Sequence, residues 1–232
     1  MTAMPRPIAV GPSRTVLFAV GGFLLLAACA LGALIFFRTE PFALDTWWNS
    51  LFVANAAPLL VTFSQVMNFL GAGWFGVFAV PIAGAFALVI LKRPWSAAFF
   101  ITAEIASAGL VQILKHLFGR ARPEEIIVIS DFGSFPSGHV ANAATLATAA
   151  FILFPRLIVV LVGAVYIFLM ALSRTVLHAH WLSDTLGGAM IGVGVVLIVA
   201  GLYAPLLWRE RPAAAAASAR EVTGAPQNQS RS

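Results

Sequence analysis

The sequence predicts an all-α protein, a polytopic membrane bundle of six transmembrane helices plus one interfacial amphipathic helix. Three observations carry this. Hydrophobic residues make up 60% of the 232-residue chain and only 10% are Asp, Glu, Lys or Arg, more apolar surface than a soluble domain of this size can bury. Apolar runs of about 20 residues, the length that crosses a bilayer as helix, recur along the chain. Between them stand breaks such as Lys92-Arg93-Pro94 and Phe154-Pro155-Arg156. The net charge of +5 has no soluble basic patch behind it, so it points to cations at membrane boundaries and not to nucleic acid. Cys29 is the single cysteine, which excludes an internal disulfide.

The first span is expected over 15–37. Leu26-Ala27-Ala28-Cys29 resembles a lipoprotein processing site, but the run stays apolar through Phe37. A processed lipoprotein turns polar after its cysteine, so an uncleaved helix is expected. The stretch 45–70 mixes apolar residues at helical spacing with Trp47, Trp48, Asn49, Asn55, Pro58, Gln65 and Asn68. It reads as the interfacial helix, anchored by its paired Trp. If it spans instead, the termini fall on opposite sides. Further spans are expected over 73–91, 96–117, 138–154, 157–176 and 182–207, with Pro94 and Pro155 marking two of the boundaries. The domain plan is a cytoplasmic N-terminus over 1–14, one membrane domain over 15–207, and a tail over 208–232. That tail is Ala-rich and then polar, which predicts cytoplasmic disorder.

Basic residues set the orientation. With six spans, nine fall on one side (Arg6, Arg14, Lys92, Arg93, Arg156, Arg209, Arg211, Arg220, Arg231) and five on the other (Arg38, Lys115, Arg120, Arg122, Arg174). Both termini are therefore expected in the cytoplasm of a multi-pass cell-membrane protein. The opposite face looks toward the periplasm or exterior.

Three polar blocks surface on that outward face. Lys115-x6-Arg122-Pro123 closes one span, Pro136-Ser137-Gly138-His139 opens the next, and Ser173-Arg174-x5-His180-x3-Asp184 bridges the last two. Polar residues at the edges of apolar helices generally have a function. His180 and Asp184 are four apart, so in a helix they share a face. A carboxylate on one ring nitrogen would fix the tautomer and leave the other as a nucleophile. An isolated pair at this spacing also arises as a plain capping contact. Ser137 stands at an expected N-cap, Gly138 lets backbone approach a ligand, and helix-start N–H groups favour phosphate. His139 in the first turn is placed to protonate a leaving alkoxide. Arg122 suits bidentate phosphate contacts, with Lys115 and Arg174 adding charge. Taken singly, Lys115 and Arg122 also fit cations snorkelling to lipid headgroups.

The three blocks together resemble the signature of the type 2 phosphatidic acid phosphatase superfamily, over about residues 15–207. The resemblance implies a membrane lipid phosphatase in which His180 attacks phosphorus to form a phosphohistidine and Asp184 orients it. His139 would then serve the leaving group and the attacking water. Lys115, Arg122, Ser137, Gly138 and Arg174 would bind the phosphoryl oxygens. No metal and no other cofactor is implied, and the outward-facing carboxylates are not clustered as magnesium would require. The expected partners are the bilayer and a lipid phosphate: undecaprenyl pyrophosphate, phosphatidylglycerophosphate or phosphatidic acid. Polyprenyl pyrophosphate is slightly favoured by the outward-facing site. A lipid phosphotransferase uses the same residues. A non-catalytic lipid transporter or scramblase would use the cations but needs no nucleophile. Two positions depart from the common pattern. His178 stands where a small residue, often Gly, is usual, and Glu104 lies inside a span, where it is expected to be protonated or paired.

Overall fold

The computed structural model describes residues 13–38, 40–53, 56–71 and 73–210. Except at their edges, the expected N-terminal segment and tail lie outside the described residues, as does Asn55. The described residues form eight α-helices: α1 (Arg14–Phe36), α2 (Ala43–Val53), α3 (Pro58–Gly71), α4 (Val80–Ile90), α5 (Pro94–Phe118), α6 (Gly138–Leu153), α7 (Leu157–Val176) and α8 (Leu182–Arg209). A π-helical turn, Phe75–Ala79, leads into α4, and no strand occurs among the described residues.

Four helices, α1, α5, α7 and α8, are long and apolar enough to cross a membrane, and the chain is a multi-pass membrane protein. Six spans were expected. The other two candidates are shorter apolar helices, Phe75–Ile90 and Gly138–Leu153. At about 1.5 Å per residue each rises about 24 Å, less than the ~30 Å hydrocarbon layer. A single interfacial helix over 45–70 does not form either. Two helices, α2 and α3, form there, bent by 117° with respect to each other. Pro58 opens α3, where its fixed φ and missing N–H are tolerated.

α8 is the axis of the bundle, with α1, α5 and α6 packed along it. Phe99, Met170, Ile191 and Val196 are fully buried between helices, while Phe23, Leu26, Leu161 and Phe168 face outward, as lipid-contacting side chains do. Two of the long helices, α1 and α5, are tied at their starts by side chains. Ser13 Oγ accepts the Val16 N–H at 3.3 Å to cap α1. At the foot of α5 the Glu210 carboxylate, from the end of α8, accepts the Ser96 N–H at 2.9 Å and its hydroxyl at 2.8 Å. Negative charge at a helix N-terminus is favourable. α3 packs on α7, and α2 touches α7 and α8. The bent pair thereby carries Asp45, Asn49 and Asn68 to the loops that hold the three polar blocks.

Candidate active site

The end of α5, the start of α6 and the α7–α8 junction converge on one cavity of about 760 Å³. Lys115, Arg122, Gly138, His139, Arg174 and His180 line part of it, and mostly apolar residues of the π-helical turn, α4 and α5 line much of the rest. Ser137 and Asp184 lie behind this wall and touch each other, the Ser137 N–H donating to the Asp184 carbonyl at 3.0 Å. Residues 115 to 184 thus form one site although three separate hairpin ends supply them.

His180 is the centre of the arrangement. Its Nδ1 is 2.8 Å from the Ser134 carbonyl oxygen. A carbonyl only accepts, so Nδ1 carries the proton and Nε2 keeps its lone pair. Nε2 is 3.3 Å from the Arg122 guanidinium. Burial, together with the charges of Arg174, Lys115 and Arg122, holds the imidazole well below its ordinary pKa. It is therefore neutral at pH 7.

Asp184 does not hydrogen-bond to His180. Its Oδ2 is 3.7 Å from Nδ1, outside hydrogen-bond range. The physical reason is local: α8 begins at Leu182, so His180 precedes the helix and the i,i+4 geometry does not apply to it. Asp184 instead accepts the Trp181 N–H at 2.9 Å and pairs with Arg120 at 2.5 Å. Arg120 also pairs with Asp45 of α2 at 2.7 Å. This nearly solvent-free Asp45–Arg120–Asp184 chain fastens α2, the α5–α6 loop and the start of α8 together.

Lys115 and Arg122 are held by the same loop. Gly133 has φ +69°, a conformation that L side chains rarely adopt. That turn presents its carbonyl to both Lys115 Nζ at 2.7 Å and an Arg122 nitrogen at 2.8 Å. Asp131 pairs with the same two cations, at 3.3 Å and 2.8 Å. Partial burial alone would raise its carboxyl, but Lys115 and Arg122 outweigh that and hold it below the usual range. The cavity mouth therefore holds an anionic side chain against two of its cations.

Two buried groups at the mouth have hydrogen-bonding capacity left over: Ser137 Oγ and Arg174 Nε have no partner among the described residues. Ser137 is the N-cap residue of α6, but its side chain makes no capping bond. Arg174 also donates to Asn68 Oδ1 of α3. His139 Nε2 is 3.2 Å from the Asn68 carbonyl, which leaves its Nδ1 as the nitrogen able to exchange a proton. His178 is not in the cavity wall. It adopts φ +51°, which is why a small residue or Gly suits this position, and its Nδ1 is 2.7 Å from Asn49 Oδ1. The fourth histidine, His116, binds its own helix through the Gln112 carbonyl at 2.8 Å.

Sequence reasoning missed Asn68, Arg120, Asp45, Asp131 and the Ser134 carbonyl. Of these only Arg120 had a usable signal, since it lies inside the first block, two residues before Arg122.

Comparison with known proteins is consistent with this geometry. A family model described as the PAP2 superfamily matches residues 96–208. The lipid A 1-phosphatase of Rhizobium etli is 27% identical over 202 residues, 78% of this chain and 83% of that protein. The decaprenylphosphoryl-5-phosphoribose phosphatase of Mycobacterium tuberculosis is 30% identical over 147 residues, 61% of this chain and 80% of that protein. Among solved structures, a transmembrane PAP2-type phosphatidylglycerolphosphate phosphatase from Bacillus subtilis shares the fold, with TM-score 0.69 and 23% identity, covering 82% of this chain and 97% of that one.

Proposed function

The chain belongs to the PAP2 superfamily, a family of phosphate-ester hydrolases, and from that premise we propose that it hydrolyses the phosphate monoester or pyrophosphate of a lipid at the outer leaflet, without a metal, through a phosphohistidine on His180. One observation carries the reading: a neutral imidazole whose Nδ1 is hydrogen-bonded and whose Nε2 is 3.3 Å from Arg122, in a cavity that Lys115 and Arg174 also line. Nε2 attacks phosphorus as the bond to the leaving oxygen breaks. His139, protonated, gives its proton to that oxygen while the Asn68 carbonyl stabilises the imidazolium. In the second step His139 takes a proton from water, the water oxygen bonds to phosphorus, and the P–N bond breaks to release phosphate and free His180.

Lys115, Arg122 and Arg174, with Ser137 Oγ and the N–H groups at Gly138, stabilise the charge on the phosphoryl oxygens, the main work in phosphoryl transfer. Asp184 acts at one remove: it holds Arg120 and the start of α8, and so the loop that carries His180. Placement at the outer leaflet rests on the excess of basic residues on the opposite side. The candidate substrates are undecaprenyl pyrophosphate, phosphatidylglycerophosphate and phosphatidic acid, to which the relatives add lipid A 1-phosphate.

The test is phosphate release by detergent-purified wild type and His180→Ala with excess EDTA, across these lipids. Wild type should release phosphate, and His180→Ala should fall by about 10⁴-fold or more. His139→Ala should lose about 10²–10⁴-fold on lipid esters and less on activated esters, whose departure needs little protonation. A His180→Ala enzyme with wild-type turnover overturns the nucleophile. Activity lost in EDTA and restored by magnesium overturns the metal-free route.

A further inference from the structure

The cavity does not end at the phosphate-binding residues. It runs from Lys115 down α5 past Gln112, Val111, Ala108 and Ile105 to Glu104 and Ile101, with Val77, Phe78, Pro81 and Ile82 opposite. Such a channel fits the apolar part of a lipid whose phosphate is at the mouth. Glu104 is the anomaly in it. It is 9% exposed, lines the channel, and its Oε1 has no hydrogen-bond partner among the described residues. The neighbouring polar side chains differ. Ser107 is bonded to Thr145 at 2.9 Å, and the Asn142 amide donates to the Gly71 and Gly76 carbonyls at 3.2 and 3.1 Å. Those groups hold the helices together, whereas the Glu104 carboxyl has an unfilled capacity inside an apolar space. Ionisable residues at such positions are costly and generally serve a ligand.

We propose that Glu104, in protonated form, is a second polar subsite that donates a hydrogen bond to an ester or amide carbonyl on the lipid, and thereby selects acylated lipid phosphates over polyisoprenyl phosphates. The inference rests on the mouth being the phosphate site, as proposed above. Eleven positions separate Glu104 from Lys115, about 16 Å along the helix. At roughly 1.2 Å of extended reach per bond, that is on the order of a dozen bonds from phosphorus. Phosphatidylglycerophosphate, attacked at its terminal phosphate, carries its acyl carbonyls at about this reach. A polyisoprenyl chain has only carbon and hydrogen there and leaves the carboxyl unpaired. This reading reverses the slight preference for polyprenyl pyrophosphate drawn from sequence.

The test uses the purified full-length protein, with binding read by native mass spectrometry and turnover by phosphate release. Dioleoyl phosphatidylglycerophosphate, its dialkyl-ether counterpart and undecaprenyl phosphate compete in equal amounts. Wild type and Glu104→Gln, whose amide also donates, should favour the diester by about tenfold over both others. Glu104→Leu should lose that preference and keep its turnover of a short soluble phosphate ester within about twofold. The ether–ester comparison on wild type needs no variant, so a Glu104→Leu chain that fails to fold leaves the proposal open to refutation. Equal binding of ester and ether lipid by wild type overturns the subsite, as does a preference that survives in a folded Glu104→Leu. A carbonyl-dependent preference with no phosphate released from any lipid keeps the subsite and overturns the hydrolase reading instead.

Discussion

The cavity mouth and the seam between α6 and α8 hold their residues in place by opposite means. At the mouth, position is set by directional bonds: Arg120 between Asp45 and Asp184, Gly133 O between Lys115 and Arg122, Ser134 O on His180. Along the seam it is set by the lack of side chains. A Cβ on Gly188 would stand 2.4 Å from the Ser137 carbonyl, and one on Gly192 2.4 Å from the Ala141 carbonyl. Helices in lipid have no hydrophobic drive to associate, so close backbone packing between small residues does this work. The two regions depend on each other. Ser137 and His139 begin α6 and Asp184 begins α8, so the seam spacing sets the distance between the halves of the site.

Among changes outside the cavity itself, breaking the seam should therefore have the largest effect. Gly192→Ala brings its methyl to 2.4 Å from a backbone oxygen, which no rotamer change relieves, so α6 and α8 must separate by about 1 Å. A misplacement of that size costs about 10²-fold in rate. Turnover of a short soluble ester should drop by about that factor while the protein still elutes as a folded species. Gly22→Ala and Gly109→Ala, where nothing lies within 4 Å, are the matched controls and should stay within about twofold of wild type. Gly192→Ala at the wild-type rate would show that the mouth holds its own geometry without the seam.

The same contrast explains what was legible in the sequence. The three polar blocks stood out because charged residues are rare here, and because each block falls where an apolar run ends. Pro94 and Pro155 marked helix boundaries for a backbone reason that holds in any context. The fold-back of 43–71 was hidden because its apolar spacing suits an interfacial helix as well as two short packed ones. Asn68 and Asp45 were hidden because their partners, Arg174 and Arg120, lie 106 and 75 positions away with no local pattern to connect them. The hydrogen bond on His180 was beyond reach altogether. Its acceptor is a backbone carbonyl, which every residue has.

A pH profile sharpens the comparison on the mouth side. In the proposed mechanism Nε2 attacks only when His180 is neutral, and burial with Arg174, Lys115 and Arg122 holds its pKa well below 6.5. The acid limb of kcat/KM should therefore lie well below pH 6.5. Arg174→Gln removes the most strongly repelling of these charges, so its limb should move up toward 6.5. The substrate's own ionisation is common to both enzymes, so the difference between profiles reports the two imidazoles that feel Arg174, His180 and His139. Stability follows the same sign. Below pH 6.5 the unfolded chain binds a proton at this residue that the folded chain does not, so stability falls as pH drops toward the folded value. Coincident acid limbs in the two enzymes would mean that another group limits the rate.

The smallest effect is expected at His178, where both means of holding position act on one residue. Its left-handed backbone, φ +51°, costs about 1–2 kcal/mol for a side chain with a Cβ. Its bond to Asn49 Oδ1 at 2.7 Å returns about 1 kcal/mol. Asn49 in turn donates to Glu125 at 3.1 Å, so Asn49 links α2 both to the loop after α5 and, through His178, to the α7–α8 junction. His178→Gly removes strain and bond together, and the two nearly cancel. The melting temperature should move by no more than about 4 °C, with turnover unchanged. His178→Ala keeps the strain and loses the bond, so it should be the less stable of the two by about 1 kcal/mol. If His178→Gly instead lost most of its activity at unchanged stability, the bond to α2 would be part of the catalytic mouth and not only a fastening behind it.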